Sequence, residues 1–246
     1  MCGIAGFNWK DNGTIEAMTE VMRLRGPDDR GTYLDDKVSL GHTRLSILDL
    51  SPKGHQPMYF QNLAIVFNGE IYNFQEIRGE LESVGYKFTS GTDTEVILAA
   101  YHRWGDKCVE KFNGMWAFCI YDRDKQTLFI SRDRFGIKPV YYYFDGRRFI
   151  FASELKAIKK HRISLETDPA GVNFFFYQKY IGGDLTIYKN CRKLKPSHSI
   201  LFDLNTKKLS ISKHYDLEAE IAKRQDIAID DRLEMVEEIL RDAVMK

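Results

Sequence analysis

From Trp116 to Ala152, four short apolar segments follow one another: Trp116 to Tyr121, Thr127 to Arg132, Val140 to Phe144 and Arg148 to Ala152. The connections between them are too short to hold a crossover helix, so the strands must pair antiparallel. Asp145-Gly146 supplies a tight-turn dipeptide between the last two. Aromatic residues stand on both alternations of these strands, so neither face of the sheet can be left to water. One face is expected to meet a second sheet and the other helices, which predicts an α+β sandwich.

The helices follow from spacing. Ile15, Met18 and Met22 recur at helical intervals until Arg25-Gly26-Pro27-Asp28 stops the run. Asn73-x-x-Glu76 and Thr92-x-x-Glu95 read as capping boxes. The first opens a helix with Phe74, Ile77, Leu81 and Val84 on one face and Gly85 beyond its end. The second opens a helix with Val96, Ile97, Ala100, Tyr101 and Trp104 facing inward, closed by Gly105. Strands are expected at Gly3 to Phe7, Val38 to His42 and Leu63 to Phe67, a helix at Ala170 to Tyr180, and hairpin strands at Ile200 to Phe202 and Leu209 to Ile211. Leu233, Val236, Ile239, Leu240 and Val244 line one face of a helix that reaches Met245-Lys246 without a C-cap, and this face is expected to belong to a further domain. The chain thus divides into a domain over 1–216 and, over 217–246, a linker and the first helix of a following domain.

Lys plus Arg is 36 and Asp plus Glu 35, a net charge of +1, which excludes the one-sided field of a nucleic-acid binder. No apolar run approaches the roughly 18 residues that span a bilayer, and no basic segment followed by an apolar one opens the chain as a secretory signal. A cytoplasmic location with no membrane partner is expected. Cys2, Cys108, Cys119 and Cys191 show no C-x-x-C spacing and the histidines form no paired set, so neither a metal site nor a disulfide framework is expected.

Cys2 heads the first strand. Removal of Met1, which a small second residue favours, would leave its thiol beside its own α-amine. That amine titrates near about 7.7 to 8.0, so at neutral pH it is partly free to take the thiol proton. Taken alone, a cysteine here is equally a small residue beginning a strand. The remaining motifs change that reading. Met-Cys-Gly-Ile-Ala-Gly-Phe, Arg25-Gly26-Pro27-Asp28, His42-Thr43-Arg44-Leu45-Ser46-Ile47-Leu48-Asp49, Asn68-Gly69-Glu70-Ile71-Tyr72-Asn73, Gly91-Thr92-Asp93-Thr94-Glu95 and Arg132-Asp133-Arg134-Phe135-Gly136-Ile137-Lys138-Pro139 occur in this order. Together they closely resemble the N-terminal half of glutamine-hydrolysing asparagine synthetases, densely over residues 1 to about 160 and more loosely beyond. Amidotransferases that aminate fructose 6-phosphate or phosphoribosyl pyrophosphate share the Cys2 position but typically lack the Arg-Gly-Pro-Asp and Asn-Gly-Glu-Ile-Tyr-Asn combination.

The resemblance implies a four-layer αββα N-terminal-nucleophile hydrolase of antiparallel sheets. It further implies that Cys2 attacks the side-chain amide of L-glutamine, releases ammonia and passes through a γ-glutamyl thioester. By the same resemblance, the Asn68 side-chain amide and the Gly69 N–H form the oxyanion hole. Arg44 takes the α-carboxylate, the segment Leu45, Ser46, Ile47 and Leu48 lines the pocket, and Glu70 and Asp93 take the ammonium. Bland readings stand beside these: Asn68-Gly69 as a turn, Asp93 as a first-turn helix acid, and Arg44 as a surface partner of Asp49. No Ser-Gly-Gly-x-Asp-Ser loop occurs, so no cofactor is expected here; ATP and Mg²⁺ belong to the synthetase domain, which would convert aspartate to asparagine. A homodimer is left open. Two other readings are kept: a different N-terminal-nucleophile amidohydrolase, and a catalytically silent module if Met1 is retained.

Overall fold

The computed structural model describes residues 1–223 and 229–245. In chain order the elements are β1 (Gly3–Phe7), α1 (Asn12–Val21), β2 (Asp29–Leu34), β3 (Ser39–Arg44), β4 (Met58–Phe60), β5 (Leu63–Ile71), α2 (Phe74–Ser83), α3 (Asp93–Trp104) and α4 (Cys108–Lys111). There follow β6 (Gly114–Asp122), β7 (Thr127–Arg132), β8 (Tyr141–Phe144), β9 (Phe149–Ala152), α5 (Leu155–Ile158) and α6 (Pro169–Gln178). The last are β10 (Cys191–Lys193), β11 (His198–Asp203), β12 (Leu209–Lys213), α7 (Leu217–Ala222) and α8 (Ile229–Met245). The expected linker includes residues 224–228, which lie outside the described residues, as does Lys246.

Two six-stranded sheets form, in the orders β10-β8-β9-β1-β3-β2 and β12-β11-β7-β6-β5-β4, with every pairing antiparallel. The period of two sorts each strand into two cores. On β5 and β6, Ala64, Val66, Ala117, Cys119 and Tyr121 join Ile4, Leu40, Phe149 and Phe202 between the sheets. The alternate residues Ile65, Phe67, Trp116, Phe118 and Ile120 pack under α2, α3 and α4. On the other side, Ala5, Phe7, Ile150 and Ala152 pack against Ile15 and Met18 of α1 and Ala157 and Ile158 of α5. The layers are therefore helix, sheet, sheet, helix, as expected. Burying each such side chain contributes about 1.5 to 3 kcal/mol, which is why the aromatic alternation on both faces is decisive.

Four expectations need correction. The hairpin run does not stay in one sheet: β6 and β7 lie in the second, β8 and β9 in the first. Asn73 occupies the cap position of α2 but makes no capping bond; its Nδ2 donates to Lys111 O (3.0 Å) and its Oδ1 accepts from Asn113 N (2.8 Å). Val84, beyond the end of α2, is exposed rather than on the buried face. The Thr92 cap holds through its bond from Glu95 N, while the Glu95 carboxylate turns to the Thr89 and Ser90 amides instead of closing the box.

Candidate active site

Strand parity assembles the site. Cys2, Arg44, Asn68 and Glu70 are even-numbered, like Ile4, Leu40 and Val66, so each points between the sheets, and each stands near a strand end where the sandwich opens. There they line a solvent-open cleft together with Leu45, Ile47, Leu48, Gly69 and Asp93. Ser46 does not line it: its N–H donates to Asp28 (2.7 Å), which anchors the loop from outside.

The Cys2 Sγ accepts from Leu45 N (3.4 Å) and donates weakly to Leu45 O (3.6 Å). Burial pushes its thiol pKa up, against the pull of the Leu45 N–H, the terminal ammonium and Arg44, so a neighbouring base is needed to make the thiolate. Arg25 fixes the backbone there, donating from Nε to Cys2 O (3.0 Å) while its guanidinium lies 3.5 Å from Glu154. Just below, buried His42 donates from Nε2 to Phe67 O (3.0 Å), stitching β3 to β5 across the sheets. Burial pulls its pKa down to about 4, so this imidazole stays neutral.

Asn68 is 1% exposed, and its Nδ2 has no hydrogen-bond partner among the described residues. A buried amide donor left unpaired costs about 1 to 3 kcal/mol. Asn68 lines the same cleft as the thiol, and an unpaired donor of this kind suits an anionic oxygen. Gly69 follows because a Cβ there would collide with the Met115 carbonyl and the Trp116 Cα of β6. The dipeptide therefore lies within a paired strand, Gly69 opposite Trp116, and is not a turn.

Arg44 is 6% exposed and does not pair with Asp49. Its guanidinium donates to the carbonyls of Leu48 (3.3 Å), Asp49 (2.6 Å) and Ser51 (3.1 Å), curling the loop around itself, while the Asp49 carboxylate turns to Ser51 and Gly91. A guanidinium carries five N–H donors, so this leaves donors for a carboxylate in the cleft. Gly54 makes the fit possible, since a Cβ there would overlap the guanidinium. Glu70 and Asp93 line the same cleft. Burial and the Glu70 charge raise the Asp93 carboxyl to about 7, although it accepts from Ile71 N (2.9 Å). Burial likewise raises Glu70. The cleft thus brings together a cation, two carboxyls, a nucleophile and an orphan donor.

Among the lining residues that carry no assignment from sequence are Gln56, Thr94 and Lys138. Gln56 holds the wall, accepting from Phe67 N (2.6 Å) and donating to Thr94 Oγ1 (3.4 Å). Among the described residues, no group of His, Cys, Asp and Glu could hold a metal ion and no helix is long and apolar enough to cross a membrane.

This geometry has relatives. A Methanocaldococcus jannaschii protein provisionally named asparagine synthetase (glutamine-hydrolysing) 2 is 40% identical over 99% of this chain and 52% of its own length. Asparagine synthetase (glutamine-hydrolysing) 3 of Bacillus subtilis is 35% identical over 100% of this chain and 41% of its own. Asparagine synthetase B (glutamine-hydrolysing) of Escherichia coli is 42% identical over 70% and 32%. The chain spans about a third to a half of the length of these relatives. The glutamine phosphoribosylpyrophosphate amidotransferase structure from B. subtilis superposes with a TM-score of 0.65 at 18% identity, over 87% of this chain and 49% of that one, which shows the shared fold. The sequence pattern of the glutamine amidotransferase domain matches residues 1–215, and the chain belongs to that family.

Proposed function

We propose that this chain hydrolyses L-glutamine to L-glutamate and ammonia through Cys2. The observation that carries the reading is the orphan Asn68 Nδ2 of a residue that lines one cleft with Cys2, Arg44, Glu70 and Asp93. Glutamine would bind with its carboxylate on Arg44 and its ammonium on the two carboxyls, which leaves its side-chain amide at Sγ. With Met1 removed, the Cys2 α-amine takes the thiol proton as sulfur attacks the amide carbon. The oxyanion forms against Asn68 Nδ2 and the Gly69 N–H. Collapse returns the proton to the leaving nitrogen, frees ammonia and leaves the thioester, which water hydrolyses by the same route. The ammonia would serve ATP-dependent conversion of aspartate to asparagine in a cytoplasmic synthetase domain, into which the exposed apolar face of α8 would pack. ATP and Mg²⁺ belong to that domain in this reading, so hydrolysis should need neither. The test is glutamate release from L-glutamine without nucleotide, with intact mass measured on the same sample. Activity should track the fraction beginning at Cys2; full activity in protein retaining Met1 would remove the α-amine as base.

Asp93 makes ligand binding depend on pH. The substrate ammonium needs the carboxylate form, which exists above a pKa of about 7 and is lost as pH falls through it. Glutamine affinity, measured by calorimetry on the Cys2→Ala protein, should therefore weaken as pH drops from 8 to 6, toward about tenfold per unit below the pKa. Asp93→Asn should bind more weakly at pH 8 and show a flatter profile. A wild-type affinity constant across that range would exclude Asp93 as the ammonium partner.

A further inference from the structure

Lys138 is a cation of the Cys2 end that the mechanism above leaves unused. It lines the cleft with Cys2 and Glu70, is 6% exposed, and its ammonium has no hydrogen bond or ion pair within 4.0 Å among the described residues. The stem of the side chain is buried while the ammonium is left to face the cleft. The local architecture fixes that approach. The Asp133 carboxylate accepts from the backbone N–H groups of Phe135 (3.0 Å), Ile137 (2.9 Å) and Lys138 (2.9 Å), and Arg132 Nε donates to Lys138 O (2.8 Å). Two buried or half-buried charged residues thus pin the backbone from which this side chain enters the cleft.

We propose that Lys138 is a positioning residue for the nucleophile, its cleft-lining ammonium opposing protonation of the Cys2 α-amine and favouring the Cys2 thiolate. The inference rests on the glutaminase reading for its catalytic consequence, not for its effect on the thiol. The signs follow from Coulomb's law: a positive neighbour disfavours a second positive charge on the amine, lowering its pKa, and favours the negative sulfur, lowering that pKa too. Both changes raise the share of the reactive pair, free amine and thiolate, at neutral pH. The other charges facing this point are Glu70 on β5, Arg44 on β3, Arg25 in the turn after α1, and Asp133 at the foot of the loop. Glu70 acts against the thiolate and Arg44 for it, so Lys138 offsets a carboxylate that the substrate ammonium requires nearby. Burial depresses the Lys138 pKa while Glu70 and Cys2 pull it back up, as expected for an ammonium placed between them.

The test compares Lys138→Met, Lys138→Gln and Lys138→Arg in otherwise unaltered protein. The first readout is the rate of Cys2 alkylation by iodoacetamide against pH, with Cys2→Ala as the blank, which needs no glutaminase activity. Its midpoint should rise by about one pH unit in the Met and Gln variants and return toward wild type in Arg. The second is glutamine turnover: kcat should fall about tenfold at pH 7 with KM little changed, and the acid limb of kcat/KM should move to higher pH by a similar step. Removing an unpaired charge should not unfold the protein, and thermal melting checks this. Unchanged alkylation profiles in both neutral variants would overturn the proposal. A raised KM at constant kcat would overturn it too, making Lys138 a keeper of Glu70. If alkylation shifts but no variant or wild type releases glutamate, the charge effect stands and the glutaminase reading fails.

Discussion

Cys2→Ala is expected to reduce glutamate release by about four orders of magnitude or more, to the background of the assay, because it removes the nucleophile and leaves only binding and the oxyanion donors. No other thiol can take over. Cys108, Cys119 and Cys191 are each 0% exposed, and burial pushes all three thiols up, Cys191 to about 11. Each packs within a hydrophobic core away from the cleft, so replacing any of them should affect packing and not chemistry. Cys2→Ser keeps a weaker nucleophile and should be nearly as inactive. The control is binding: Cys2→Ala deletes one half-buried sulfur whose bonds to Leu45 are long, so glutamine should still bind it. Wild-type glutamate release from Cys2→Ala would refute the mechanism, and loss of binding with loss of activity would point to a structural role for the sulfur.

The elements read well from sequence where local chemistry decides them. Thr127–Arg132 has the expected strand bounds, and Thr92 caps α3 with its own hydroxyl. What sequence did not yield is the distribution of strands between sheets. β1 inserts between β9 and β3, pairing residues near position 5 with others near 41 and 152, and no local pattern encodes a partner that distant. Asn73 fails as a capping box for a similar reason, since residues 111 and 113 compete for its side chain. The candidate site residues were named through the resemblance of their motifs, and what the structure adds is the shared parity at strand ends that brings Cys2, Arg44, Asn68 and Glu70 to one cleft. Lys138 was not, because its approach depends on a loop folded around Asp133. Its signal was present in Arg-Asp-Arg-Phe-Gly-Ile-Lys-Pro, where an acid precedes the lysine by five residues, but only the folded loop shows what the acid holds.

Asn68→Ala is expected to lower kcat by about a hundredfold to a thousandfold while leaving KM near its wild-type value. The amide carbonyl of bound glutamine carries little charge, whereas the tetrahedral intermediate concentrates a full negative charge on that oxygen. A donor fixed beforehand therefore matters most in the transition state. Asn68 is fixed in this way: it lies on β5 opposite Ala117 of β6, is 1% exposed, lines the cleft, and its Nδ2 has no partner among the described residues. Because that donor has no partner to lose in the resting protein, truncation should cost little stability, so melting temperature and activity should separate. Asn68→Asp provides the sharper contrast. It conserves shape but sets a carboxylate against the developing oxyanion, and it should fall below Asn68→Ala in kcat. Steady-state kinetics of both variants, with melting curves on the same samples, tests the assignment. A rise in KM at unchanged kcat would make Asn68 a ground-state contact, and equal activity of the Ala and Asp variants would mean that no negative charge develops beside it.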